Sequence, residues 1–445
     1  MHSSAAAIDP GLSKPVFSVA YRRYAMALLL VIYTINFIDR QIVQILAEPI
    51  KHEFHLADWQ IGLLSGFAFA LFYATLGLPI ARLAERANRP RIIAVAVAVW
   101  SGCTALCGLS SSFGMLLLAR IGVGVGEAGC SPPGHSLICD TVPREKRASA
   151  LAFYQLGVPL GALLGLVIGG VVASAYGWRA AFMLVGAPGL AFALLAALTL
   201  REPRLHAAAR GTKAPVPSFR QAMAVLRGKK SYWLVCLAAG VKGVIGYGQG
   251  IFIASFFLRN HGDSLAEMAA RYGLKPLALV GITIGIASGI GGLIGTYGGG
   301  VVTDRLVRRS ARGYVTFPAI ASLIVLPLSA AMVMVGSPLV AMGLYFLQAM
   351  FAAVWPGPVY AVCQGVVPAN MRATSSAIQL FIGNITGLCM GPLAIGLLSD
   401  FFAGPMALGP GEGIRWALFC CSLMGFVAFA LFWRARLYIE DELES

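Results

Sequence analysis

Twelve stretches of about 20 mostly apolar residues recur along this chain, and each is long enough to cross a bilayer as an α-helix. They lie at roughly 24–47, 60–82, 92–110, 114–139, 149–174, 180–199, 231–257, 277–302, 315–335, 338–365, 374–399 and 414–433. Only 12% of the residues are charged, against roughly 25% in a soluble domain. Backbone groups cannot be left unpaired in hydrocarbon, so spans of this length are helices. The expectation is an all-α membrane protein of twelve transmembrane helices. The first twenty residues are polar and lack an apolar core followed by a small-residue cleavage site. No cleaved signal peptide is expected, and the first span inserts the protein by itself.

A net charge of +15 would fit a nucleic-acid partner only if it formed one patch, and it does not. Of the 34 Lys and Arg, 25 fall in the termini and even-numbered loops. These include Arg82, Arg86, Arg89 and Arg91, the run from Arg201 to Lys230, and Arg305, Arg308, Arg309 and Arg312. The odd loops hold only Lys51, Arg179, Arg259, Arg271, Lys275 and Arg415. This asymmetry places both termini in the cytoplasm. The membrane expected is the plasma membrane, the inner membrane of a bacterium. The nine Cys are scattered over spans and read as small buried hydrophobes, and neither disulfides, metals nor cofactors are expected. No metal-spaced His/Glu set and no Ser-His-Asp set at one depth argues for an enzyme, and no appended soluble domain argues for a sensor.

The even loops reveal a duplication. ARLAERANR (81–89) matches GVVTDRLVR (300–308), and VPREKRASA (142–150) matches VPANMRATS (367–375). Matched loops at matched places indicate two six-span blocks. The expected organisation is a tail over 1–20, a six-helix bundle over 21–200, a basic cytoplasmic linker over 201–230, a second bundle over 231–435 and an acidic tail over 436–445. Within the linker, PVPSFRQAMAVLRG reads as a short amphipathic helix on the membrane surface.

These loops resemble those of the major facilitator superfamily, whose signature runs Gly-x-Leu-Ala-Asp-Arg-x-Gly-Arg-Arg/Lys. Here Ala81 and Glu85 replace the first Gly and the Asp, Pro90 replaces the last basic residue, and the second copy keeps Gly300 and Asp304. The resemblance implies two pseudo-symmetric bundles around a central cavity, working by alternating access. Glu85 and Arg86, Asp304 and Arg305, with Arg147 and Arg372 at the starts of spans 5 and 11, are candidate cytoplasmic gate residues. A helix N-terminus attracts an acid, so Glu85 is expected near span 11 and Asp304 near span 5. Local pairing within each loop is the competing expectation.

Five charges lie well inside spans: Asp39, Arg40, Arg120, Glu127 and Lys242. Such charges demand partners or water. Asp39 and Arg40 point about 100° apart on one helix, so they cannot simply neutralise each other. Depth makes Arg120 a match for Asp39, and Glu127 lies two turns further along the same face. Glu127 is then free to pair with Arg40, Arg120 or Lys242. A carboxylate whose Arg partner changes with conformation changes its proton affinity, so Glu127 first and Asp39 second are the proton-coupling candidates. A fixed salt network that only joins helices is the alternative.

Span 4 and the residues after it, RIGVGVGEAGCSPPGHSLICDTVPREKRASA (120–150), together with NFIDR (36–40) and WQIGLLSGFAFALFYATLGLPIARLAER (59–86), resemble the Spinster branch. That resemblance implies a proton-coupled carrier of sphingosine 1-phosphate or lysophospholipids, with Arg120 and Glu127 lining the polar centre. Cationic Arg40, Arg120 and Lys242 amid aromatics such as Tyr73 and Tyr154 would suit an anionic headgroup with an apolar tail. The partners expected are such a substrate, protons and the bilayer, with the protein a monomer. A drug or small organic anion as cargo, or uniport without protons, are the rival readings. Four glycines of span 4, Gly122, Gly124, Gly126 and Gly129, permit close approach, and Pro132 and Pro133 are expected to kink it.

Overall fold

The computed structural model describes residues 17–143, 146–203, 219–368 and 371–443, and every regular element in them is helical. Twelve helical stretches are long and apolar enough to cross a membrane. In chain order they are span 1 Val19–Phe54, span 2 Asp58–Ala84, span 3 Arg89–Gly108, span 4 Phe113–Thr141, span 5 Ser149–Tyr176 and span 6 Trp178–Thr199. The second half supplies span 7 Lys230–Asn260, span 8 Pro276–Val307, span 9 Gly313–Met334, span 10 Pro338–Gly365, span 11 Thr374–Ala403 and span 12 Gly409–Ala435.

Local chemistry sets the ends. The Ser18 and Ser112 hydroxyls accept from the third residue of spans 1 and 4, Tyr21 and Met115, and Asn88 does the same for Arg91 in span 3. Span 1 continues past its expected end, through Pro49, and stops only where His55 turns left-handed at φ 52°. That extension carries Glu48 and Lys51 to the face opposite the basic loops, called the far face below.

Span 4 does break. The first helix ends at Glu127 and the next begins at Ser131. Pro132 and Pro133 have no N–H to offer the carbonyls four residues back, so the turn between the two helices is where the ladder fails. Span 10 breaks at the corresponding place, with Pro356 opening its second helix. Spans 2, 8 and 11 instead carry single π-helical segments, Leu63–Phe67, Ala287–Gly291 and Asn384–Met390. In the linker, Phe219–Arg227 is helical. It does not simply lie on the membrane, because Ala222 and Leu226 are buried and Leu226 joins the core of the second half. The rest of that amphipathic stretch, 215–218, and the tail over 1–16 lie outside the described residues.

The apolar core is unequal along the membrane normal. Near the far face one continuous cluster joins both halves, running from Ile38, Leu46 and Ile61 through Leu166 to Phe252, Val280, Ile395 and Leu418. Toward the basic face the core divides. One cluster belongs to the first half apart from Leu388 and Cys389 of span 11, and the other belongs to the second half. Glycines make the far seal possible. A Cβ on Gly281 of span 8 would stand 2.5 Å from the Leu166 carbonyl oxygen of span 5. One on Gly396 of span 11 would stand 2.5 Å from the Asp58 oxygen of span 2. The two halves touch backbone to backbone there, closer than any side chain allows.

Candidate functional site

Four of the five membrane charges converge inside the first half. Spans 1 and 4 carry them, and the turn between Asp39 and Arg40 separates their surroundings. Asp39 points inward and is fully buried, with Arg120 of span 4 and Thr104 of span 3 as polar neighbours. Arg120 donates to the Asp39 backbone oxygen at 3.4 Å, and the Asp39 carboxylate makes no ion pair among the described residues. Depth alone does match the two residues, but the contact falls on the main chain.

Arg40 points toward the centre of the molecule and keeps 14% of its side chain exposed. Its Nε donates to Glu127 Oε2 at 2.5 Å, and Glu127 is wholly buried. Of the three partners open to Glu127, this conformation selects Arg40. The guanidinium also lies 4.4 Å from the Tyr73 ring centroid and 5.0 Å from that of Phe37. Around this pair the polar network is incomplete. Asn36 stands beside Glu127 and Thr104 beside Asp39, while Glu127 Oε1 and Arg120 Nε make no well-aligned hydrogen bond among the described residues. Several ionisable groups gathered in a buried site, with their charges unequally paired, form the kind of arrangement that responds to pH or to a competing ion.

The gap beside Arg40 is lined from both halves. Tyr73 faces Tyr247 of span 7 and Tyr360 of span 10, and Arg40 lies within electrostatic reach of Tyr247. Tyr247 is 41% and Tyr360 36% exposed. Tyr154 of span 5 lies deeper. It is fully buried and stacks on Tyr33 at 4.2 Å, so it is a wall behind the site. Lys242 of span 7 is buried and has no ion-pair partner among the described residues. Its neighbours Gly240 and Gly243 pack on Thr386 and Gly387 in the π segment of span 11.

A second cluster, absent from the sequence reading, ties the halves together at the far face. Arg259 of span 7 grips two acids of the first half, donating from Nε to Glu48 at 2.8 Å and from Nη1 and Nη2 to Asp58 at 2.8 and 2.7 Å. Lys51 Nζ meets the same Asp58 at 2.5 Å, and Ser399 of span 11 donates to it at 2.6 Å. Asp400 accepts from the backbone N–H of Asp58 and Trp59 at 3.0 and 2.8 Å, capping span 2 from the opposite half. Alternation of charge across loops gives no signal for this lock. It needed span 1 to run longer than its apolar window.

The basic face differs. Asp304 and Arg305 are exposed and make no ion pair among the described residues, Arg372 is exposed, and the Arg147 Nε is buried without a partner. The expected docking of Asp304 on the start of span 5 is therefore not made in this conformation, which is sealed at the opposite end. The side chains of Glu85 and Arg86 lie outside the described residues. Arg89, which the loop pattern marks only as a topology charge, is fully buried. It binds Glu202 through its backbone N–H and Nε, both at 3.0 Å, and Asp140 through Nη1 at 2.7 Å. All nine Cys are free, and no group of metal-ligating side chains forms among the described residues.

The profile of the Major Facilitator Superfamily matches residues 29–392. The chain belongs to that superfamily. It is a multi-pass secondary transporter, not an enzyme. This facilitator is 31% identical over 425 residues to an MFS-type efflux pump of Mycolicibacterium smegmatis, covering 95% of this chain and 94% of the pump. It is 24% identical over 453 residues to protein spinster homolog 1 of Xenopus tropicalis, covering 95% and 82% of the two chains. Among solved structures it resembles a bacterial homologue of the human lysosomal transporter Spinster, in an inward-facing and unoccupied conformation. That match has a TM-score of 0.83 and 31% identity, and it covers 96% of this chain and all of the other. The facilitator is thus Spinster-like in fold.

Proposed function

We propose that this facilitator is a proton-coupled carrier of an amphipathic, lipid-like anion of the sphingolipid or lysophospholipid type, working by alternating access as a monomer in the plasma membrane. One observation carries the reading: the wholly buried Glu127 is ion-paired to Arg40, beside a second wholly buried acid, Asp39, that makes no ion pair among the described residues. Arg40 is also the group exposed to the cavity. An anionic headgroup that takes Arg40 leaves Glu127 without its counter-charge in a dry site, and the carboxylate then takes up a proton. Release of the anion returns Arg40 to Glu127 and expels the proton. Substrate and proton binding are coupled because one guanidinium serves both.

In this scheme Glu127 and Asp39 are the proton-coupling acids, and Arg40, Arg120, Lys242 and Tyr73 form the charge and substrate network. Tyr247 and Tyr360 complete the wall. The basic face is the cytoplasmic one. The halves 21–200 and 231–435 rock about the linker 201–230, and Glu85, Arg86, Arg147, Asp304, Arg305 and Arg372 engage when that face closes. The far-face lock at Arg259 would open in the same stroke.

The similarity to an efflux pump supports a second reading, in which the same machine expels a drug or small organic anion. Reconstituted vesicles separate the two. Labelled lysolipids, sphingosine 1-phosphate and a panel of drugs and small organic anions are offered with and without an imposed proton gradient. Gradient-driven flux of the lysolipids or of sphingosine 1-phosphate supports the proposal. Flux confined to drugs or small anions supports the second reading. Flux indifferent to the gradient makes the protein a uniporter.

A further inference from the structure

On the basic face, away from the central cavity, the start of span 9 and the end of span 12 enclose a groove of about 590 Å³. Its polar rim is three guanidiniums, Arg312, Arg434 and Arg436, and its floor is Phe429, Trp433 and Leu437. Trp433 and Leu437 are exposed, and they prolong a stripe of exposed apolar side chains, Leu423, Phe426 and Val427, along span 12. Residues three and four apart lie above one another on a helix, so the stripe is one continuous lipid-facing strip that ends in the arginines.

Two of the three rim charges are uncompensated, although acids are close by. The tail beyond span 12 holds Glu440, Asp441 and Glu442. Glu440 accepts from Ser310 at 2.6 Å and pairs with Arg312 at 2.7 Å. Glu442 turns away to the start of span 7, where it accepts from the backbone N–H of Lys230 and Ser231 at 2.8 Å. Neither Arg434 nor Arg436 has a carboxylate partner among the described residues. The Arg436 Nε is buried with no acceptor, while its guanidinium carbon lies 4.0 Å from the Trp433 ring. Stacking on an indole holds the guanidinium at the level where Trp sits in a bilayer.

We infer that this groove is a binding site for an anionic phospholipid of the adjoining leaflet. The headgroup phosphate takes the free N–H groups of Arg434 and Arg436, as guanidinium forks do with phosphate, and an acyl chain runs down Leu423, Phe426 and Val427. Position and charge both favour a membrane lipid over a soluble ligand, because half of the site is the lipid-facing helix surface.

The test melts the purified full-length protein in neutral detergent with added phosphatidylglycerol or phosphatidylcholine. Phosphatidylglycerol raises the melting temperature more than phosphatidylcholine does. Arg434→Gln with Arg436→Gln abolishes the difference, and the preference in affinity falls about fivefold for each arginine removed. Arg308→Gln with Arg309→Gln, an equal loss of charge on the same face, leaves it intact. A second measurement needs no arginine variant: phosphatidylglycerol with brominated chains quenches tryptophan emission more than the brominated choline lipid, and Trp433→Phe removes the excess. The site is refuted if the double variant keeps the preference, or if the control pair loses it equally. Equal quenching by the two lipids refutes it too, and glycerol 3-phosphate alone reproducing the thermal shift would mean a soluble-phosphate site.

Discussion

The two halves of this facilitator share a fold and differ in what they bury. The first half encloses Asp39, Arg40, Arg120 and Glu127 in its membrane interior. The corresponding depth of the second half holds a neutral chain, in which Gln348 donates to Gln249 at 2.7 Å and Gln249 donates to Ser329 at 3.2 Å, with Lys242 its one buried charge near the centre. A duplicated scaffold thus keeps the buried carboxylates of its membrane interior in one half, while the other half holds amides and Lys242 there, among the described residues. Neutral amides hold helices in register at any pH, whereas carboxylates against guanidiniums respond to pH and to a competing anion. On the reading proposed above, the asymmetry assigns proton coupling to the first half and leaves the second half as the surface against which it works.

The sharpest way to break that comparison is to neutralise Glu127. Glu127→Gln lowers gradient-driven flux by about 100-fold or more, the scale of losing a positioned proton-transfer group, and exchange of substrate without a gradient survives. Gln348→Leu in the other half leaves the gradient dependence unchanged and lowers stability by about 1–3 kcal/mol through the unpaired Gln249 oxygen, read as a lower melting temperature. Equal loss of coupling in both variants would end the division of labour.

Next in size is the lock that joins the halves. Arg259→Gln leaves Glu48 without its guanidinium and Asp58 with Lys51 alone in a nearly buried site, which costs the far-closed state about 3 kcal/mol. Distance measurements across the far face should then show the population moving from closed to open. An unchanged distance distribution would show that the glycine contacts of spans 2, 5, 8 and 11 hold the seal without it.

A smaller effect sharpens the role of Lys242, the buried cation near the centre of the second half. Lys242→Met weakens binding of an anionic substrate by about tenfold and leaves the pH profile of transport in place where the acids of the first half set it. A shifted pH profile would bring Lys242 into the proton circuit.

Least affected is a carboxylate of the second half that lies outside the membrane. The Ser310 hydroxyl, and then Arg312, hold the Glu440 carboxyl below the usual glutamate range. A lowered pKa in the folded state means the tie is complete above pH about 4 and is lost as pH falls below it. Glu440→Gln therefore changes melting only slightly at neutral pH, as for exposed ion pairs generally, and the wild-type advantage disappears in acid.

Much of this architecture was legible in the chain. Apolar windows mark all twelve spans because hydrocarbon admits no unpaired backbone, and Pro132 and Pro133 mark the break in span 4 because they lack donors. The outward divergence of Asp39 and Arg40 follows from the helical turn. The far-face lock was not legible, since Glu48, Asp58, Arg259 and Asp400 lie in four different spans and only helix packing brings them together. Arg89 looked like any loop arginine until Glu202 and Asp140 enclosed it. Tyr247 and Tyr360 look like ordinary span aromatics, and only the meeting of the two halves makes them walls of one cavity.

The sequence by itself determined the solvent, the number of spans, the duplication and the set of charges that hydrocarbon would not tolerate alone. Those depend on local properties: apolar length, helical period and charge per loop. Tertiary structure alone decided which charges pair, Arg40 with Glu127 and Arg259 with Glu48 and Asp58, and which face is shut. Pairing and closure depend on distances between helices far apart in the chain, set by where glycines let two backbones touch.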